Sequence, residues 1–391
     1  MIYVHVPFCR SFCSYCGFYS ELCAGREEQM DAYAQALCRE AAARAAEYTQ
    51  TVRAAGESID TLYIGGGTPS VLPLAALKSI VDCLRAEGLC GAEPVEFTLE
   101  VNPDDILHRG MDYLRSLREL GVNRISMGVQ SFDDARLRLM NRRHGAADAV
   151  RAFRMLREAG FANISIDLIY GMGEICGEPS RPEQWEASLD RTLELRPEHI
   201  SAYQLSLEPG SILEKLQADG RFRPADDETC VREWELLCHR LDNAGYVHYE
   251  ISNFALLGYE AVHNSAYWRH VPYLGLGPAA HSLALEAGGK WKRSWNPSDL
   301  GLYLAAWGPG SSPGGGNARQ EREYEILDDE QLRLESIMLG LRTASGIRPE
   351  VLGKEALERG LSCGDLVYAG DRVRIAPERL FVSDSIIASL V

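Results

Sequence analysis

Between residues 2 and 244, a short β-branched or apolar run is followed six times by an amphipathic helical stretch. The strand-like runs cover 2–7, 59–64, 95–101, 124–129, 163–169 and 199–205. Helical spacing covers 26–55, 74–87, 111–120, 147–159, 183–195 and 226–244. Parallel strands joined by crossover helices produce such alternation. Gly121, Gly160 and Gly245 close three of the helical stretches, where a chain must adopt a left-handed C-cap. Eight such units close a barrel in roughly 250 residues, so six units in a comparable length predict an α/β chain folded as a partial (β/α)6 TIM-like barrel. An open doubly wound sheet is the other architecture with this pattern.

After Gly245 the pattern changes. Residues 246–307 are rich in Tyr, Trp, Gly and His, and 308–323 are rich in Gly, Pro and Ser, the composition of a linker or exposed loop. Residues 324–391 hold a helical stretch at 329–342 and strand-like runs at 372–375 and 380–382, a small C-terminal α+β domain. The expected division is therefore a core barrel over 1–245, an aromatic-rich segment over 246–307, a linker over 308–323 and the α+β domain over 324–391. With 46% hydrophobic and 25% charged residues among 391, the composition is that of a globular chain, not a disordered one. Its 56 acidic against 40 basic residues leave a charge of −16, which repels phosphate backbones and anionic lipid, so no nucleic-acid partner is expected. No run reaches the ~18 apolar residues of a membrane span. The first residues alternate like a strand and carry no basic leader, so the cytoplasm is the expected location.

The 11 cysteines divide into two groups. Cys23, Cys38, Cys83, Cys90, Cys176, Cys230, Cys238 and Cys363 are scattered without ligand spacing and read as small buried hydrophobes in a reducing compartment. Cys9-Arg10-Ser11-Phe12-Cys13-Ser14-Tyr15-Cys16 is different: its three thiolates can converge on one soft-metal centre when the loop wraps around it. A structural zinc would want a fourth ligand, and no second CxxC follows, although His5 is near in sequence. A four-iron cluster held by three cysteines leaves one iron open to a small molecule. Both readings stand on the residues alone.

Placed directly after an N-terminal strand, within Tyr3-Val4-His5-Val6-Pro7-Phe8-Cys9, this CxxxCxxC resembles the signature of the radical S-adenosylmethionine (SAM) proteins. The likeness is to the branch containing the oxygen-independent coproporphyrinogen III oxidases and their haem-chaperone relatives, the HemW group, and it covers nearly the whole chain. It implies one [4Fe–4S] cluster on Cys9, Cys13 and Cys16, whose open iron is chelated by the amino and carboxylate groups of SAM. Electron transfer from the reduced cluster then cleaves the sulfonium, giving methionine and a 5′-deoxyadenosyl radical. Tyr3 and Tyr15 count with the cofactor-binding residues in this likeness.

Other strand ends agree with it. Gly65-Gly66-Gly67-Thr68-Pro69 resembles the family's GGxTP element, in which Gly66, Gly67 and Thr68 contact the methionyl part of SAM; a plain strand-to-helix turn explains the same residues. Glu100, in Glu100-Val101-Asn102-Pro103, matches the family's ExNP pattern and is otherwise an exposed strand-end charge. Gln130 matches a further contact. Arg142, expected on the next helix, has a fork suited to a carboxylate such as that of methionine, or is a solvated surface arginine. Asp167 lies inside the apolar run Ser165-Ile166-Asp167-Leu168-Ile169, where a carboxylate needs a partner. In a parallel barrel all C-terminal strand ends open on one face, so these groups from five successive units are expected to converge. After Gly171 the chain departs from the family's Leu-Pro-Gly-Gln-Thr and reads Met172-Gly173-Glu174-Ile175, so contacts made there in relatives do not carry over.

Two features select the haem-chaperone group. In the oxidases the motif continues to a fourth cysteine, CxxxCxxCxC, whereas here that position is Phe18, and Cys9 stands near the chain start. His263-Asn264-Ser265-Ala266-Tyr267-Trp268 matches the HNxxYW element associated with haem in that group. An imidazole there can ligate haem iron while the aromatics cover the macrocycle, or His263 can be a hydrogen-bonded histidine in an aromatic core. His5, His270 and His281 are lesser candidates. The expectation is a haem-chaperone-like protein that binds the cluster, SAM and haem or porphyrin and passes haem to an acceptor protein. The alternatives are an oxygen-independent coproporphyrinogen III oxidase and a zinc-stabilised barrel.

Overall fold

The computed structural model describes residues 1–175, 177–286, 288–308 and 322–391. The six expected units are present: β1 (Ile2–Val6) and α1 (Glu27–Ala55), β2 (Thr61–Gly66) and α2 (Leu74–Ala86), β3 (Glu96–Val101) and α3 (Pro103–Glu119), β4 (Arg124–Gln130) and α4 (Ala146–Glu158), β5 (Ile164–Tyr170) and α5 (Pro182–Leu195), β6 (His199–Gln204) and α6 (Asp227–Asn243). Each helix buries one stripe, as Leu77, Ile80, Val81 and Leu84 do in α2 and Ala149, Ala152, Phe153 and Leu156 in α4. The strands carry their apolar residues to the same core: Ile2, Val4 and Val6 of β1 are fully buried. α3 begins eight residues before the expected 111 (at Pro103) and is broken at Gly110, whose φ of 75° interrupts the helical period there.

Three further strands complete one nine-stranded sheet: β7 (Val247–Glu250), β8 (Asn253–Ala255) and β9 (Leu274–Leu276), in the order β7-β8-β6-β5-β4-β3-β2-β1-β9. β9 and β1 to β6 run parallel; β8 joins β6, and β7 joins β8, antiparallel. The edges, β7 and β9, are not paired to each other, so the sheet is a partial barrel and not a closed one. Between β8 and β9 lies α7 (Val262–Tyr267), which carries the HNxxYW residues up to Tyr267, with Trp268 just past its end.

Downstream, β10 (His281–Leu285), β11 (Trp291–Trp295) and β12 (Glu323–Leu327) form an antiparallel sheet, with α8 (Leu300–Trp307) between β11 and β12 in the chain. α9 (Asp329–Gly340) and α10 (Lys354–Ser362) follow, then the hairpin β13 (Leu366–Ala369) and β14 (Arg372–Ile375), and finally α11 (Ser383–Leu390). The strand expected at 380–382 is instead part of a 3₁₀ helix, Pro377–Val382. Pro377 starts it: a fixed φ suits a first helical turn, and the missing N–H suits no sheet ladder. Of the linker expected over 308–323, residues 309–321 lie outside the described residues, as does Cys176. Of the other scattered cysteines, Cys90 and Cys230 are buried as expected, whereas Cys23, Cys38, Cys83 and Cys238 are only half-buried and Cys363 is exposed, against expectation. Among the described residues no helix is long and apolar enough to cross a membrane.

Candidate functional site

The three motif cysteines lie on the loop that leaves β1, and that loop is tied down from both sides. Its backbone returns to the stretch just after β1 through Glu21 N–H to Pro7 O (2.6 Å) and Cys23 N–H to Cys9 O (2.9 Å). The 139–141 segment fastens its middle: Asn141 Nδ2 donates to Phe12 O (2.7 Å) and Ser14 Oγ to Leu139 O (2.9 Å). The glycine turn after β2 packs against the base of the loop. Gly67 N–H donates to Val6 O (2.8 Å) and Thr68 N–H to Phe8 O (2.7 Å). A Cβ on Gly67 would come within 2.7 Å of Phe8 O, and one on Gly66, whose φ is 105°, within 2.6 Å of His5 Nδ1. Glycine is required here for close backbone approach.

A cavity of about 810 Å³ opens at the C-terminal ends of the strands, and Cys9, Cys13, Cys16, Tyr15, Gly66, Gly67, Thr68, Glu100, Gln130, Arg142 and Asp167 all line it. The expected convergence on one face is therefore present. Gln130 reaches the cavity through an irregularity: the β4–β5 register slips between Gly128 and Gln130, and Gln130 takes φ 69°. Arg142 stands in the loop between the short helix Asp134–Leu139 and α4, not on a helix as expected. From there its guanidinium donates to Cys13 Sγ (3.2 Å), Asn102 Oδ1 (2.5 Å) and Gly128 O (2.5 Å), bridging the cysteine loop to β3 and β4.

The carboxylates are held by hydroxyls. Tyr63 OH donates to Glu100 Oε1 (2.7 Å) and Gly66 N–H to Oε2 (3.0 Å); Ser126 Oγ lies 3.1 Å from both oxygens of Asp167, and Ser165 Oγ lies 3.3 Å from one. Burial raises the proton affinity of both acids, to a pKa of about 7 for Glu100, against the hydrogen bonds that lower it. Arg124, buried at the start of β4, also faces this cavity with Thr98 Oγ1 at 3.4 Å. Sequence reasoning passed over Arg124, Tyr63 and Asn102 because strand residues that serve a site look like any polar break in an apolar run.

Two expected site residues lie elsewhere. Tyr3 does not line this cavity; its hydroxyl donates to His5 Nδ1 (3.1 Å), and both residues line a second cavity of about 750 Å³. The same bond, with His5 Nε2 donating to Tyr19 O (2.9 Å), uses both nitrogens of His5. His263 lies farther off. It is 1% exposed, at the opposite, N-terminal ends of β2 and β3: Nδ1 meets Thr61 Oγ1 (2.8 Å), Nε2 meets Tyr267 OH (2.8 Å), and its backbone N–H donates to Glu96 (3.1 Å). Burial depresses its pKa to about 3. Both ring nitrogens meet hydroxyls, and the residue lines neither cavity; the next residue, Asn264, faces the first. The altered loop after Gly171 forms a two-strand pairing of Glu174–Ile175 with Phe222–Arg223.

Comparison with known proteins agrees with this geometry. The Radical SAM superfamily profile matches residues 3–178. The chain is 33% identical to the heme chaperone HemW of Bacillus subtilis, over 88% of this chain and 84% of that one. It is 30% identical to the heme chaperone HemW of Mycobacterium tuberculosis, over 100% of this chain and 94% of that one. Among solved structures, coproporphyrinogen III oxidase (HemN) from Escherichia coli, a radical SAM enzyme, superposes with a TM-score of 0.76 at 22% identity, over 100% of this chain and 89% of that one, a likeness of fold. The chain belongs to the radical SAM superfamily, whose members bind a [4Fe–4S] cluster and SAM, and within it to the family of the heme chaperone HemW proteins.

Proposed function

We propose that this chain is a haem chaperone: it holds one [4Fe–4S] cluster on Cys9, Cys13 and Cys16, binds SAM beside it, and carries haem to an acceptor protein. The observation that carries the cofactor half is the shared cavity, in which the three thiols meet Glu100, Gln130, Arg142 and Asp167 from successive strands. The donor set fits such a cluster. The three thiols of one loop line the cavity together, and a cube would spread its thiolates over separate irons. When bound and reduced, the cluster supplies an electron for cleavage of the SAM sulfonium.

This chain's own residues do the rest. Arg142 sets one N–H on Cys13 and fixes the loop against Asn102 and Gly128. Glu100 and Asp167, once ionised, complement the positive sulfonium of SAM, and the Gly66–Gly67 backbone leaves room for its methionyl part. Haem as cargo is supported by the names of the relatives and by Phe18, which stands where the oxidases carry a fourth motif cysteine. In this reading residues 1–245 serve the cofactors, and the 246–307 segment carries the HNxxYW element associated with the cargo. The cytoplasm is its place, because thiols that load iron need a reducing compartment.

Anaerobic reconstitution tests the reading. We expect about four irons and four sulfides per chain, lost when Cys9, Cys13 and Cys16 are replaced by alanine, and transfer of bound haem to an apo haem protein. Zinc without sulfide would overturn the cofactor half. Decarboxylation of coproporphyrinogen III without haem binding would overturn the other half in favour of the oxidase.

A further inference from the structure

α3 begins with an acidic pair that its own helix does not use. Pro103 takes the first position, Asp104 and Asp105 follow, and no side chain caps the helix start. Asp105 is 1% exposed, and its carboxylate reaches away from α3: Arg10 Nε lies 2.7 Å from Oδ1, and Ser70 Oγ donates to Oδ2 (2.8 Å). A buried carboxylate is costly unless it is paired, so these partners explain its place.

Arg10 is the residue after the first motif cysteine. The loop's other ties hold it at Pro7, Cys9, Phe12 and Ser14, and Arg10 fastens the stretch between Cys9 and Phe12. Ser70 belongs to the turn that follows Gly66 and Gly67, and Arg109 of α3 holds that turn too, donating to Val71 O (2.8 Å) and Leu72 O (2.7 Å). The neighbours of Asp105 repeat the pattern. Asn102 Nδ2 donates to Thr68 Oγ1 (3.2 Å) while its Oδ1 receives Arg142, and Asp104 pairs with Arg143 Nε (3.2 Å). One helix start thus meets the cysteine loop, the glycine turn and the loop of Arg142 and Arg143. Arg10, Asn102, Asp104, Asp105 and Arg143 all line the cofactor cavity.

We infer that Asp105 is a positioning residue for the cluster: through Arg10 it fixes the Cys9–Cys13 half of the loop, and through Ser70 it fixes the glycine turn. The two walls of the cofactor site are then set relative to each other before anything binds. The inference rests on the cofactor half of the haem-chaperone reading. Asp105 acts through its partners, not on the cluster itself. Replacing it loosens the loop, and ligands held on a looser support release metal more readily.

The test compares the reconstituted full chain as wild type, Asp105→Asn, Arg10→Gln and the double variant. It follows iron released to a ferrous chelator without oxygen, and the EPR signal of the reduced cluster with and without SAM. Each single variant is expected to release iron about tenfold faster, the scale for a residue that supports a metal ligand, and to broaden the EPR signal. Because the two residues act as one unit, the double variant is expected to match the singles instead of compounding them. Arg10 is partly exposed, so Arg10→Gln decides the question by itself if Asp105→Asn does not fold. Wild-type release and EPR in the variants, with at most a lower melting temperature of the cluster-free chain, would overturn the inference, as would losses that multiply in the double variant. A wild type that takes up no iron and sulfide would overturn the cofactor reading itself, and the positioning role with it.

Discussion

The hydroxyl of Tyr63 donates a 2.7 Å hydrogen bond to Oε1 of Glu100, while the N–H of Gly66 holds the other carboxylate oxygen at 3.0 Å. The acid is thus aimed into the cavity by the strand next to its own. Burial outweighs these two donors and leaves its pKa at about 7. Below that value Glu100 is neutral and attracts no cation, so SAM affinity should rise with pH up to about 7 and then level off. Isothermal titration with SAM from pH 5.5 to 8 checks this, and Glu100→Gln should bind more weakly and lose the slope across that window. A slope unchanged in the variant would assign it to another group.

The same shift has a consequence for stability. A carboxyl whose folded pKa is raised from 4.5 to about 7 favours the fold while protonated, and that advantage is lost as pH rises through about 7. The SAM-free protein should therefore melt at a lower temperature at pH 7.5 than at pH 5.5 in this respect, and Glu100→Gln should narrow the difference. Differential scanning calorimetry on both proteins decides it.

Gly67→Ala places a methyl within 2.7 Å of Phe8 O and 2.8 Å of Val6 O, backbone atoms that cannot swing away. The strand end and Cys9 must shift together, at a cost of about 1–3 kcal/mol. Iron content after reconstitution and the urea midpoint should both fall; wild-type iron loading would contradict the close-packed turn.

Arg142→Lys keeps the charge and removes the fork. One ammonium is poorly placed to replace bonds to Cys13 Sγ, Asn102 Oδ1 and Gly128 O together. SAM affinity should drop about tenfold, the scale of one charged hydrogen bond, and the EPR signal of the reduced cluster should change with it.

His263→Ala empties a buried site and strips Thr61 Oγ1 and Tyr267 OH of a partner. Unfolding in urea should show a loss of about 2–4 kcal/mol. Stability equal to wild type would show that the histidine has no bracing role.

Much of the fold was legible because its signals are local. The six strand–helix units announce themselves by period, and Gly121, Gly160 and Gly245 adopt positive φ where the helices end. The β10–β11–β12 sheet was not legible: Trp291-Lys292-Arg293-Ser294-Trp295 falls within the aromatic-rich segment without a strand signal, and its pairing with His281–Leu285 and Glu323–Leu327 appears only when distant segments meet.

The site divides in the same way. Cys9, Cys13 and Cys16, with Glu100, Gln130 and Asp167 at successive strands, were dictated by the order of residues, because a parallel barrel sends every strand's C-terminal end to one face. No such rule reaches His263, Tyr3 or His281. His263 belongs to the far end of the barrel through Thr61, Tyr3 turns to the second cavity through His5, and His281 comes to that cavity on a sheet built from three distant stretches. Periodicity reports neighbours a few residues apart; these placements depend on contacts between distant segments, which only the packed chain brings together.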